Sequence, residues 1–168
     1  MKLGRLFFGF ALFLIALTGA HADPLSKPTA KPILTISGSI ANTNDGKVAV
    51  FDRAMIEALG MQTVETSTPW YPGHSHFEGV SLDKLMQLVG ASGTKVRVLA
   101  LNDYETTIPL DDFKKFNVIL ALKRDGNYMP VRDKGPLFVI YPYDSDSQLQ
   151  SETYYSRSAW QVAKMIIE

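Results

Sequence analysis

Three short runs concentrate the side chains that could recognise a ligand. Arg132-Asp133-Lys134 abuts a Gly135-Pro136 turn that enters the apolar stretch from Leu137. Asn102-Asp103-Tyr104 stands at a strand-to-strand corner, and Tyr154-Tyr155-Ser156-Arg157-Ser158-Ala159-Trp160 adds phenols, an indole and a guanidinium. A charged triplet at a turn is equally well explained by solvation, and a single Tyr or Trp is more often core than site. Their clustering beside turns shifts the weight toward a donor–acceptor cluster for a polar, planar ligand. Thr68 to Phe77 carries Pro, Gly and aromatics, Trp70 among them, without a period. It reads as a loop, and an aromatic-rich loop marks a candidate binding surface. His74 and His76 within it have an i, i+2 spacing that could hold a metal. No third ligand stands nearby in sequence, so they read more readily as exposed loop histidines.

Other chemistries are excluded by what the chain lacks. Its 168 residues contain no cysteine, which removes disulfides, thiolate metal sites, iron–sulfur clusters and Cys nucleophiles. There is no Gly-x-Ser-x-Gly elbow, Gly-x-Gly-x-x-Gly or P-loop. Seventeen basic residues balance seventeen acidic ones, so there is no cationic surplus for nucleic acid. A carboxylate-pair glycosidase stays open, although Asp103, Asp111, Asp112, Asp125 and Asp133 all lie near turns, where Asp is expected anyway.

The elements that must position these groups can be read from pattern. Residues 33–40 alternate with a period of two and predict a strand, and Lys47–Phe51 predicts a second. Asp52 caps a helix over 53–59, and Ser81 caps another over 82–89 whose Leu82, Leu85, Met86 and Val89 share one face. Further strands are expected over 62–66, 96–100, 104–110, 117–123 and 137–141, with a turn or short helix over 111–116. Arg124-Asp125-Gly126-Asn127 predicts a hairpin, and 144–150 a polar loop. The stretch 154–168 receives no element type. The sum is one α+β domain: a mixed sheet with two or three short helices.

The first 22 residues read as an address. Lys2 and Arg5 precede an apolar run of 12 residues, Leu6–Leu17, and Ala20-His21-Ala22 offers a small-x-small cleavage site. That run is short of the roughly 20 residues needed to span a bilayer. The expected product, cleaved after Ala22, is periplasmic and not itself membrane-embedded. A Pro-rich flexible leader at 23–32 then precedes the domain at 33–168, which must be stable without disulfides.

One combination is specific. Phe77-Glu78-Gly79-Val80-Ser81-Leu82-Asp83-Lys84-Leu85, then Asn102-Asp103-Tyr104, then 122–133 running into Arg132-Asp133-Lys134-Gly135-Pro136, resembles the molybdopterin-binding domain of the sulfite oxidase family. The likeness spans about residues 33–163. It implies the α+β fold of that family, with a pterin in a cleft lined by loops. Enzymes of the family hold molybdenum through a cysteine thiolate just before the Phe-x-Gly-Val segment. Here that stretch, Val64 to Trp70, offers only hydroxyls such as Ser67, which are hard ligands and no general replacement for a thiolate. Lys134 stands in place of the family's histidine, Phe138 in place of a phosphate-gripping arginine, and the Lys before the closing Trp160 is absent.

The exported, cysteine-free form is similar to periplasmic pterin-binding regulators built on this fold. The resemblance implies a reduced, molybdenum-free pterin as ligand and, as partner, the periplasmic domain of a membrane-bound cyclic-di-GMP enzyme. It implies Trp70 as the stacking residue and Tyr104 as a second wall. Asp133 or Asp103 would take the donor edge and Arg132 or Lys134 the carbonyl, with Tyr155 and Arg157 closing the pocket and Ser67 beside it. The alternatives are a periplasmic molybdopterin-dependent oxidoreductase with a non-cysteine metal ligand, and a scaffold whose cleft is empty.

Overall fold

Alternate burial sets the first strand: Leu34 and Ile36 are buried, while Thr35 and Ser37 are partly open. The structure, a computed structural model, describes residues 25–168. The expected signal peptide and the first two residues of the leader lie outside the described residues. From Leu25 onward the leader is fastened to the domain. The Asp52 carboxylate accepts from the backbone N–H groups of Thr29 (2.8 Å) and Ala30 (3.0 Å), and Asn44 donates to the Ser26 carbonyl.

Two five-stranded sheets form the architecture, where one mixed sheet was expected. In the first, β1 (Leu34–Gly38) lies between β2 (Ala49–Phe51) and β10 (Val162–Ile167), followed by β5 (Lys95–Ala100) and β6 (Glu105–Pro109). The β1–β10 pairing is parallel and the others antiparallel, so this sheet is mixed. The stretch left without an element type thus supplies the sheet's central strand. A register shift between Val162 and Lys164 breaks its alternation, which is why the sequence did not announce it. It also supplies α4 (Glu152–Arg157).

The second sheet contains β3 (Met61–Thr68), β4 (Tyr71–Ser81), β7 (Ile119–Arg124) and β8 (Asn127–Tyr128) in order, with β9 (Phe138–Ile140) also on β7. Here the expected loop over Thr68–Phe77 is corrected. All of it except Pro69 and Trp70 belongs to the β3–β4 hairpin, with Val64 opposite Phe77 and Ser67 opposite His74. A register shift between Ser67 and Thr68 absorbs Pro72 and Gly73 (φ +70°), the residues that made the stretch look irregular. The period is nevertheless present: Ser75 and Phe77 are buried, His74 and His76 exposed. The Arg124–Asn127 hairpin forms as expected, with Asp125 and Gly126 both at positive φ. Gly79 is obligatory where β4 crosses β7, since a Cβ there would lie 2.3 Å from the Leu120 carbonyl oxygen.

The helices are short and capped as predicted. Asp52 accepts from the Met55 N–H at the start of α1 (Arg53–Glu57), and Ser81 from the Lys84 N–H at the start of α2 (Leu82–Leu88). With α3 (Leu110–Lys115) they cover the larger core. The continuous apolar run in β7 has a simple cause. Leu120 and Leu122 enter the larger core, while Ile119 and Ala121 enter a second cluster with Phe77, Phe138 and Ile140. A strand buried on both faces must be apolar at every position. Trp70, Tyr71 and Trp160 roof that second cluster. Among the described residues no helix is long and apolar enough to cross a membrane.

Candidate functional site

The roof of the smaller cluster is also the lining of a cleft. Trp70, in the β3–β4 connection, meets Trp160 edge-on, with ring centroids 5.6 Å apart and planes at 70°. Phe138, Tyr143 and Tyr155 surround it at 5.3, 6.2 and 6.1 Å. Tyr104 instead lies parallel to Trp160, within 5°, at a centroid distance of 6.3 Å. Trp70, Tyr104, Tyr155 and Trp160, with Glu152, Ser156 and Ser158, bound a cleft of about 210 Å3. That is below the roughly 300–1,000 Å3 of drug-sized sites and suits one flat ring system.

Local backbone aims the walls. Asp103 takes a left-handed conformation (φ +64°) in the β5–β6 turn, and the Asn102 side chain accepts from the Tyr104 N–H. Across the cleft, the Tyr104 hydroxyl donates to the Ser156 carbonyl at 2.7 Å, so a 40% exposed phenol is held at both ends.

Beside the cleft runs the loop from Pro130 to Pro136, which contains a 3-10 turn over Val131–Asp133 and a cis Gly135–Pro136 bond. Lys134 is left-handed (φ +61°), and at Gly135 a Cβ would fall 1.8 Å from the Met129 carbonyl oxygen, so only glycine fits. The loop presents Asp133 and Lys134 to Tyr71. The Tyr71 hydroxyl donates to Asp133 Oδ1 at 2.8 Å, and Arg124 Nη2 stands 3.7 Å from Oδ2. The Arg124 guanidinium lies 3.7 Å from the Tyr71 ring centroid. Lys134 Nζ lies 4.7 Å from the same ring and 5.7 Å from that of Trp160. Burial, and then the bond to Asp133, push the Tyr71 phenol far above its usual range. It therefore stays protonated and remains a donor.

Of the residues singled out from sequence, the fold brings Trp70, Tyr104 and Tyr155 together as walls, with the Lys134 ammonium near Trp160, whereas Asp133 lines an adjoining concavity with Arg124, Tyr128 and Met129. Asp103 is exposed in the turn just before Tyr104, and Arg132 is exposed with no ion pair among the described residues. Arg157 is turned to the larger core: its Nη1 donates to Asp112 Oδ2 at 2.8 Å, where the Tyr141 hydroxyl also donates. The hydroxyl and N–H of Ser67 both donate to Asp144, which His74 Nε2 approaches at 3.4 Å. Those two Ser67 bonds hold the Asp144 carboxyl below its ordinary range. Sequence reading did not place Trp160, Tyr71 or Arg124 in the site. Trp160 was visible only as one of a clustered set of aromatics, Arg124 only as part of a hairpin signal. Tyr71 meets a residue 62 positions away, a pairing without local signature.

The family model for the oxidoreductase molybdopterin binding domain matches residues 52–144. The chain belongs to that family. The molybdopterin-binding domain also superimposes on the sulfane dehydrogenase SoxCD from Paracoccus pantotrophus, with a TM-score of 0.58 and 16% identity. The match covers 80% of this chain and 37% of that one; at this identity it establishes a shared fold. No curated protein sequence matches the chain.

The residues present fit one part of molybdopterin and not the other. The sequence has no thiolate, the Ser67 hydroxyl is committed to Asp144, and among the described residues no three His, Asp or Glu side chains converge on a point. This donor set does not fit a thiolate-held metal. A centroid distance of 6.3 Å leaves no room for a ring between Tyr104 and Trp160, so a flat heterocycle fits this cleft by stacking on one aromatic face, with Glu152 on the lining and the Lys134 ammonium 5.7 Å from the Trp160 ring.

Proposed function

We propose that this domain binds a reduced, molybdenum-free pterin without catalysing a reaction on it. In this reading the exported protein reports its occupancy to the periplasmic domain of a membrane-bound cyclic-di-GMP enzyme. The observation that carries the reading is the pairing of an aromatic cleft with a family position stripped of its metal donor. Trp70, Tyr104, Tyr155 and Trp160 line the cleft, and Trp160 or Tyr104 offers a face on which one ring can stack. Asp133 lines the concavity adjoining the cleft and retains acceptor capacity beyond its bond to Tyr71, since a carboxylate has about four lone-pair sites. It suits the adjacent N–H donors of an amino-pyrimidinone edge, and Lys134 suits the ring carbonyl. Export rests on the charged start, apolar run and Ala-x-Ala pattern of residues 1–22.

Anaerobic titration of the purified protein with tetrahydropterin, followed by tryptophan fluorescence, tests this. Saturable quenching is expected in the wild type, with affinity at least about fivefold weaker in Tyr104→Ala, because base–aromatic stacking is worth roughly 1–3 kcal/mol. Asp133→Ala should weaken it similarly. Family membership keeps an oxidoreductase as the rival reading. Near-stoichiometric molybdenum in natively purified protein would overturn the proposal in its favour.

A further inference from the structure

We infer that a second, apolar groove on this domain is a docking surface for an acidic, apolar segment of a partner protein, and that Gln161 couples it to the ligand cleft. The coupling rests on the pterin-binding reading above; the docking surface does not. The groove, of about 420 Å3, is floored by Ile33, Pro136 and Ala163 and flanked by Leu101 and Val131. These last two are 55% and 50% exposed. The other large apolar side chains that are comparably open among the described residues are Tyr104 and Tyr128, and both have their hydroxyls bonded, to Ser156 and Glu57. Leu101 and Val131 are purely aliphatic, adjoin one concavity and gain nothing from water, which marks an interaction site.

Charge selects the occupant. Lys31 and Lys164 line the groove, and no carboxylate does. Lys31 and Lys164, like most lysines among the described residues, make no ion pair, so both ammonium groups are available at the groove. An apolar floor between unpaired ammonium groups is complementary to a segment that alternates aliphatic or aromatic side chains with Asp or Glu. The concavity favours a polypeptide over the flat face of a bilayer.

One residue joins this groove to the cleft. Gln161, left-handed at φ +55° and next to Trp160, accepts from the Leu101 N–H through its carbonyl at 2.9 Å. Its N–H donates to the Lys134 carbonyl at 3.1 Å, and its Nε2 to the Val131 carbonyl at 2.6 Å. Leu101 opens the turn that carries Asp103 and Tyr104, and Val131 belongs to the loop that carries Asp133 and Lys134. Both flanks of the groove are therefore the backs of the two loops that face the ligand. A ligand that favours one arrangement of those loops also favours one arrangement of the groove, and the effect is reciprocal.

The test pans a random peptide library displayed on phage against the whole mature protein, with counter-selection on Leu101→Asp/Val131→Asp. Both positions are exposed, so the fold should survive, as circular dichroism and unchanged tetrahydropterin affinity would verify. Enriched peptides should combine Leu, Ile or Phe with Asp or Glu. They should bind at least about tenfold more weakly to Leu101→Asp/Val131→Asp and to Lys31→Glu/Lys164→Glu. Saturating tetrahydropterin should change their affinity by at least about fivefold, and Gln161→Ala, which removes the Val131 bond and keeps the two backbone bonds, should reduce that change. The docking surface is overturned if no groove-dependent peptide emerges or if the enriched peptides are basic. It is equally overturned if the same residues instead drive dimerisation in sedimentation or binding to phosphatidylglycerol vesicles. If pterin binds but leaves peptide affinity unchanged, the coupling falls. If pterin does not bind at all, the functional reading falls while the groove-dependent peptides still stand.

Discussion

Two aspartates in this domain are each met by a tyrosine hydroxyl and an arginine, and only one of them is open to a ligand. Asp112 lies 7% exposed in the larger core, with the Tyr141 hydroxyl and Arg157 Nη1 both 2.8 Å from its Oδ2. Asp133 sits at the surface, its side chain 42% exposed, with Tyr71 at 2.8 Å and Arg124 at the looser 3.7 Å. In both, burial is the leading cause that drives the tyrosine pKa upward. What differs is geometry and water. In the buried set both donors converge on one oxygen, Oδ2, of a carboxylate that water barely reaches. The surface set is half-made, and its carboxylate keeps acceptor sites free. The same three residue types therefore make a structural bolt in one place and a candidate recognition group in the other.

The largest effect should come from breaking the buried set. Asp112→Ala leaves Arg157 without its partner beneath α4 and removes the acceptor for Tyr141. A loss of about 3 kcal/mol is expected in urea unfolding, at the low end for a broken buried pair because Arg157 retains some water. An unchanged midpoint would erase the distinction between the two sets. Next in size, Asp133→Asn should weaken pterin binding about tenfold while shifting stability by less than about 1 kcal/mol. Equal losses in both measurements would mean that Asp133 is as structural as Asp112.

The smallest effect concerns pH. Asp144, held by Ser67, and Asp52, held by the Met55 and Ala30 N–H groups, both have carboxyls depressed below the ordinary value of 3.8. A carboxyl depressed on folding contributes stability above that ordinary value and loses it as pH falls through the folded one. Unfolding midpoints should therefore hold above about pH 5 and decline below pH 4. Asp144→Asn should remove below about 1 kcal/mol of that decline. A decline of the same size in the variant would show that Asp144 takes no part in it.

Much of the frame was legible locally. The caps at Asp52 and Ser81, the hairpin at Asp125-Gly126 and the doubly buried β7 are each set by a few neighbouring residues. The misread segment, Thr68–Phe77, kept its alternation but hid it behind a bulge that Pro72 and Gly73 disguise as a loop. The candidate site was half legible. Trp70, Tyr104 and Tyr155 were singled out and line one cleft, with Lys134 near it, while Asp133 lines the adjoining concavity. Arg157 was singled out on its type alone, and its partner, 45 residues away, turned it elsewhere.

The sequence by itself determined that no thiolate is available, which strands can exist and where the helices start, because composition, alternation and capping are local properties. Which aspartate is sealed and which is open, which aromatics share the cleft, and that Gln161 touches both ligand loops were decided only by the tertiary structure. Burial and long-range register assign those roles, and neither is a property of any short segment of the chain.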